Sequence, residues 1–335
     1  MIEIQIPNLD MLADGELLCS SCGKTIAWDK VLQASPCPAC GNMLYYPMTI
    51  RNYILYKPLG GGGVGHVFKS YRMVTRQKYA VKILQRSKKD DSHYIRNFLR
   101  EAHAGITVGD HKNLIKIAEY GYDRGEFYVV MPFIEGERLD IYIQRKKYIS
   151  EQRAVNIILQ IIEAEIHISQ RGFLYRDLKP ENIILERNGN IRMFDYGLCI
   201  RKNDALAQEF TPDDFEGSPL YIPPERIVGA SEGEYSEIYS LGMILFHMLK
   251  GRPYFSETEI NDIITRHVSS FRILSVKGYL KNCSKGLVSI IDRMIARKPD
   301  MRYPDFQPLK KDLEAISKEL HDRPSVFLKG SKSVS

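Results

Sequence analysis

Tyr175-Arg176-Asp177-Leu178-Lys179-Pro180-Glu181-Asn182 sets a carboxylate at 177, cations at 176 and 179 and an amide at 182 within one short run. Pro180 has no backbone N–H and would break a helix, so the run reads as a loop. A solvated surface turn could share this composition. The next fifteen or so residues argue against that. Ile183-Ile184-Leu185 reads as a short strand, Asn188-Gly189 as a turn, and Ile191 to Phe194 as a second strand that delivers Asp195-Tyr196-Gly197. A hairpin with an acid and an amide at one end and a second acid at the other can hold a divalent cation.

These residues resemble the catalytic loop and metal-binding motif of protein kinases, His-Arg-Asp-x-x-x-x-Asn followed by Asp-Phe-Gly. Tyr175 stands in place of the histidine and Tyr196 in place of the phenylalanine. The resemblance runs from residue 53 onward, with most of the kinase signatures in order. It implies an α+β, two-lobed kinase fold over residues 53–320, with a small β-rich N-lobe (53–131) and a large α-helical C-lobe (135–320). The implied reaction moves the γ-phosphate of ATP to a protein hydroxyl, assisted by Mg2+ or Mn2+. Asp177 would then orient the acceptor hydroxyl and receive its proton, and Lys179 would stabilise the transferring phosphate. Asn182 and Asp195 would hold the metal. Lys179 in Asp-Leu-Lys-Pro-Glu-Asn and Ser218 in Gly-Ser-Pro-Leu-Tyr are similar to the Hanks-type kinases that act on serine and threonine.

The glycine-rich run Gly60-Gly-Gly-Gly-Val64-Gly65-His66-Val67 lies between two strand-like segments, Tyr53 to Leu59 and Phe68 to Tyr71. Glycines 60, 62 and 65 therefore fit the kinase hairpin better than a dinucleotide-binding turn, which precedes a helix. Backbone without side chains can close over phosphates and offer them its N–H groups. Lys82 lies on the apolar strand Tyr79 to Leu84, where a lone lysine is more often an edge residue. With Arg100-Glu101-Ala102 on the next amphipathic helix, it resembles the pair in which the lysine holds the α- and β-phosphates and the glutamate orients it. Gly105 falls inside that helix, and the run to His111 is one residue longer than the family's usual. Glu126 to Phe133 reads as the last small-lobe strand, with Met131 behind the adenine pocket and Pro132 to Ile134 as the hinge. Proline keeps the carbonyl that its position offers, and Ile134 supplies the N–H. The ATP-contacting set implied by the resemblance is Leu59, Gly60, Gly62, Gly65, Val67, Ala80, Lys82, Glu101, Met131, Pro132 and Ile134, with Val67 capping the adenine.

Val155, Ile158, Ile161, Ile162 and Ile166 recur at helical spacing and predict a core helix beneath the catalytic loop. Pro223-Pro224-Glu225 stands where kinases close the polar segment with Ala-Pro-Glu, and Arg302 is expected to pair with Glu225 in a buried, structural ion pair. Glu237 opens an apolar helix to Leu249, stopped by Gly251 and Pro253. Similar kinases have the shorter aspartate there, bonded to catalytic-loop backbone. Arg176, directly before Asp177, is in similar kinases a cation that needs an anion from the activation segment. Thr211 is the single serine or threonine between Asp195 and Ser218, so it is the candidate for that anion by phosphorylation. Asp213, Asp214 or Glu216 could carry the charge instead. Residues 321–335 read as a disordered tail.

Residues 1–48 are of another kind. Cys19-Ser-Ser-Cys22-Gly and Cys37-Pro-Ala-Cys40-Gly are two Cys-x-x-Cys-Gly units with 14 residues between Cys22 and Cys37. Two residues between thiolates let both sulfurs reach one ion, and two such turns complete a four-thiolate structural Zn2+ site, a zinc ribbon. Two disulfides, a redox dithiol and an iron centre are the alternatives. The fragment is too short for a core of its own, so metal binding would supply its folding free energy while the kinase part keeps its own core. Cys199 and Cys283 read as ordinary thiols.

The chain has 335 residues and a net charge of +6 spread along it, which gives nucleic-acid binding little support. Between the first and last ribbon cysteines only Lys24, Lys30 and Trp28 would serve such binding. No apolar run approaches a membrane span and the N-terminus is unlike a signal peptide, so the expectation is a cytoplasmic enzyme. Its partners would be protein substrates with serine or threonine acceptors, and a protein partner or regulator at the ribbon. Two rivals are a pseudokinase scaffold and a ribbon-centred binding module regulated by its neighbour. The first loses force because Lys82, Asp177 and Asp195 are all present.

Overall fold

The computed structural model describes residues 4–13, 16–27, 32–61, 64–204, 218–255, 257, 259–269 and 275–322. The chain divides into two units, Met1–Glu135 with Phe194–Gly197, and Gly136–Met193 with Leu198–Ser335.

The first unit begins with three short antiparallel strands, β1 (Leu12–Ala13), β2 (Glu16–Leu18) and β3 (Thr25–Ala27), and a hairpin of β4 (Gln33–Pro36) and β5 (Met43–Tyr46). Each Cys-x-x-Cys sits in a turn, one between β2 and β3 and the other between β4 and β5. Pro47 alone separates β5 from β6 (Met48–Ile50), the edge of a six-stranded antiparallel sheet. Its other strands are β7 (Tyr53–Gly61), β8 (Gly65–Arg72), β9 (Lys78–Leu84), β10 (Glu119–Asp123) and β11 (Glu126–Pro132), in the order β10-β11-β9-β8-β7-β6. Helix α1 (Ser92–Val108) follows β9 and is N-capped by Asp91, whose carboxylate accepts from the His93 N–H.

Strand β7 explains how the cysteine module is attached. Tyr53, Ile54, Leu55 and Tyr56 are all buried, so both faces of the strand are covered. Tyr53 and Leu55 join Met48, Ile50, Phe68, Val81, Ile83, Tyr128 and Val130 in one core. Ile54 and Tyr56, with Tyr71 of β8, join Leu12, Leu17, Cys19, Ile26, Cys37 and Leu44 in another. Arg76 adds a hydrogen bond from Nη1 to the Leu12 carbonyl and lies over the Tyr71 ring. The module and this face of the sheet thus share one core, where residues 1–48 were expected to have none of their own, and the sheet keeps a second core on its other face.

In the second unit β12 (Gly136–Arg138) is followed by α2 (Leu139–Lys146) and α3 (Glu151–Gln170). Then come β13 (Phe173–Leu174), the loop that holds Asp177, β14 (Ile183–Glu186), β15 (Ile191–Met193) and β16 (Ile200–Arg201). β14 pairs with β12 on one side and β15 on the other, and β13 pairs with β16. α4 (Pro224–Ile227), α5 (Glu234–Lys250), α6 (Ile260–Val268), α7 (Lys285–Met294) and α8 (Phe306–Asp322) complete it. The apolar period of α3 buries Val155, Ile158, Ile161 and Ile162, and α5 is apolar nearly all round and buried accordingly. Helix α5 starts three residues before the expected Glu237, and α8 runs to Asp322, into what reads from sequence as a tail. Positions 323–335, Gly62 and Thr211 lie outside the described residues. No described helix is long and apolar enough to cross a membrane.

Candidate active site and metal centre

In the first unit the β8–β9 register sets Val67 opposite Lys82, and the β9–β11 register sets Ala80 opposite Met131. The β7–β8 hairpin pairs Gly60 with Val67 and Gly61 with His66. Gly65 is required by close approach, since a Cβ there would meet the Ile83 carbonyl at 2.7 Å. Leu59 is exposed on β7, Pro132 ends β11, and Ile134 follows it half-buried.

Lys82 Nζ lies 2.7 Å from both carboxylate oxygens of Glu101 on α1 and 3.8 Å from Asp195 Oδ1. Burial alone would push the Lys82 ammonium down, but Asp195 and Glu101 hold it above its usual value, so it stays charged. Burial pushes the Glu101 carboxyl up to about 7, against the opposing pull of Lys82. Asp195 adopts a left-handed backbone, φ +73°, and its Oδ1 accepts from the Gly197 N–H at 3.2 Å.

Tyr196, the residue after Asp195, has a role that its sequence position did not suggest. Its ring is buried and its hydroxyl donates to the Ile115 carbonyl at 2.9 Å. A Cβ at position 105 would meet Tyr196 Cδ2 at 2.8 Å and Ile117 Cδ1 at 2.4 Å. The glycine inside α1 is therefore a notch for this tyrosine, which explains a residue that costs helix propensity. Glycine in mid-helix was the signal available in the sequence.

In the second unit Asp177 is buried, and its carboxylate accepts from Lys179 Nζ at 2.9 and 2.8 Å and from Asn182 Nδ2 at 2.7 Å. Asn182 Nδ2 also donates to the Asp177 carbonyl at 3.0 Å, and a 3₁₀ turn over Pro180–Asn182 brings the two together where a plain loop was expected. Arg176 offers its N–H to Glu237 Oε1 at 2.9 Å, so the longer glutamate still makes the brace. Arg302 forks Glu225 at 2.7 and 2.9 Å, both side chains buried, as the sequence predicts.

The four cysteines form a second site. Their sulfurs all lie within 4.8 Å of one another, with Cys19 to Cys40 at 3.7 Å and Cys22 to Cys37 at 3.9 Å. Four thiolates about 2.3 Å from one tetrahedral ion would be about 3.8 Å apart, so the set fits zinc. Both turns are built alike. The N–H of Gly23 and of Gly41 donates to the carbonyl of the first cysteine of its pair, and both glycines have positive φ.

The β-rich first unit with its Lys82, Glu101 and Asp195, and the helical second unit with its Asp177, Lys179 and Asn182, define a protein kinase. Residues 53–312 match the protein kinase domain, and the chain belongs to that family. It is similar to the serine/threonine-protein kinase PrkC of Bacillus subtilis, 29% identical over 78% of this chain and 40% of the relative. It is also similar to the probable serine/threonine-protein kinase PknB of Lactococcus lactis, 27% identical over 78% of this chain and 41% of the relative. A RAC family serine/threonine-protein kinase homolog of Dictyostelium discoideum is 26% identical over 78% of this chain and 57% of its own length. The chain thus matches well under two thirds of each.

Proposed function

We propose that the chain transfers the γ-phosphate of ATP to serine or threonine hydroxyls of protein substrates. One observation carries this reading: Lys82 Nζ lies 2.7 Å from Glu101 and 3.8 Å from Asp195 in a buried setting, where an uncommitted lysine would be costly. In this reading Lys82 and the backbone of the glycine hairpin, Gly60, Gly62 and Gly65, anchor the phosphates of ATP. Leu59, Val67, Ala80, Met131, Pro132 and Ile134 line the base. Mg2+ when bound supplies charge neutralisation for the phosphates, with Asp195 and Asn182 as the residues to hold it. Asp177 orients the acceptor hydroxyl and takes its proton, while Lys179, bonded to Asp177 in this structure, turns to the transferring phosphate. Residues 1–48 carry a structural zinc on Cys19, Cys22, Cys37 and Cys40. Thr211 and Arg176 are the candidates for regulation.

The test is radiolabelled ATP with magnesium and a general acceptor protein, comparing wild type with Asp177→Ala. Label on serine or threonine of the acceptor, lost in the variant, is the expected outcome. Wild-type protein that transfers nothing, or a variant that transfers as well, would overturn the reading.

A further inference from the structure

Arg176 has a left-handed backbone, φ +68°, which a residue with a side chain holds at a cost of about 1–3 kcal/mol. Three contacts hold it there. Its N–H donates to Glu237, its carbonyl accepts from Arg226 Nη1 at 2.6 Å, and its own Nη2 donates to Glu232 Oε1 at 2.6 Å. Glu232 then accepts on Oε2 from Arg226 Nε at 2.8 Å and Nη2 at 2.6 Å. One carboxylate therefore joins two guanidiniums, and the second of them grips the backbone of the first. Charge-assisted forks of this kind are among the stronger and more directional hydrogen bonds. The Glu232 side chain is 6% exposed. Burial opposes its charge, but Arg226 and Arg176 hold its carboxyl below the usual carboxylate range. Arg226 itself follows Glu225, which Arg302 anchors in their buried pair. Arg176 Nε is buried without a partner among the described residues.

We propose that Glu232, acting through Arg226 and Arg176, is a positioning residue that sets the catalytic loop from within the α4–α5 connection, and that it already supplies the anion Arg176 needs. Phosphate transfer then does not depend on phosphorylation of Thr211. This rests on the kinase reading.

The test uses the full chain with ATP, magnesium and a general acceptor. Glu232→Gln keeps the shape but not the charge. Its kcat should fall about 10- to 100-fold, as displaced catalytic groups do, with KM for ATP changed about twofold or less. Glu232→Asp should lie between the two. Wild type treated with a phosphatase, and Thr211→Ala, should keep their kcat within about twofold. Where Glu232→Gln fails to fold by circular dichroism, Arg226→Lys takes its place, because it keeps the charge and loses the fork. Amide exchange at Arg176 and Asp177 needs no activity and should speed up in either variant. Wild-type kcat and unchanged exchange in these variants would overturn the clamp. Wild type that is active only after phosphorylation of Thr211 would overturn the built-in anion. Wild type that never transfers phosphate, with exchange still faster in the variants, would overturn the kinase reading and leave the clamp standing.

Discussion

Replacing Gly105 with alanine should weaken both stability and transfer, although helix propensity alone predicts the reverse. Alanine in a helix interior gains about 1 kcal/mol over glycine. Against that, the new Cβ would lie 2.4 Å from Ile117 Cδ1, 2.9 Å from Ile117 Cγ1 and 2.8 Å from Tyr196 Cδ2. Carbon atoms pack at about 3.5–4.0 Å, so roughly 1 Å must be found on both sides. The end of Ile117 can rotate. The Tyr196 ring cannot move far, because it is buried and its hydroxyl is tied to the Ile115 carbonyl. Overpacking of this kind costs about 1–3 kcal/mol, which exceeds the propensity gain by up to about 2 kcal/mol. For a domain of this size that is a fall in Tm of up to several degrees, at about 2–4 °C per kcal/mol. The strain relaxes by moving α1 or Tyr196, and either displaces a partner of Lys82, since Glu101 is one turn from Gly105 and Asp195 precedes Tyr196. Thermal melts and steady-state kinetics check this, with Gly105→Ala/Ile117→Val as the variant that should recover part of the loss. A Gly105→Ala protein with a raised Tm and unchanged kcat would refute the notch.

Three further outcomes are expected. Lys82→Met and Asp195→Ala should each lower kcat/KM by about 100-fold or more while the melting profile stays cooperative; near-normal transfer in either folded variant would remove these residues from the site. One equivalent of zinc should be found by metal analysis, and Cys19→Ser or a strong chelator should lower the melting temperature of the whole first unit, because Cys19 and Cys37 lie in the core shared with Ile54, Tyr56 and Tyr71; iron in place of zinc, or a melt that spares the sheet, counts against this. Glu165 on α3 is fully buried with Oε1 unpartnered among the described residues, and burial, then Glu237, raises its carboxyl well above the ordinary range. A carboxyl raised on folding adds stability that is present below its unfolded value of about 4.5 and is lost as pH climbs through the folded value. Glu165→Gln should therefore raise Tm at pH 8 and gain much less at pH 5; an equal gain at both, or none, would contradict a proton held there.

Motif residues were legible from sequence because their chemistry needs fixed types at fixed spacings. Lys82 with Glu101, Asp177 with Lys179 and Asn182, and Arg302 with Glu225 meet as their order in the chain suggests. The Glu237 brace survives an extra methylene because the acceptor only has to reach one backbone N–H. What stayed hidden depends on packing. Glu232 and Arg226 belong to no spacing rule, and Glu232 meets Arg176 from 56 positions away. Gly105 looks like a defect in a helix until the ring it accommodates is placed. The run Tyr53-Ile54-Leu55-Tyr56 did carry a readable signal, since four consecutive apolar residues on a strand mean that both faces are covered.

Double coverage of β7 bears on how the chain can be divided. A cut at residue 53, where the family match begins, would remove the layer that hides Ile54, Tyr56 and Tyr71 and would also strip β6 from the edge of β7. Two large rings and a branched aliphatic would face water beside an unpaired strand edge, a combination that favours sticking to other chains over remaining dissolved. The family boundary and the physical boundary do not coincide. A fragment meant to stay in solution should begin ahead of Leu12, with all four cysteines and their metal retained.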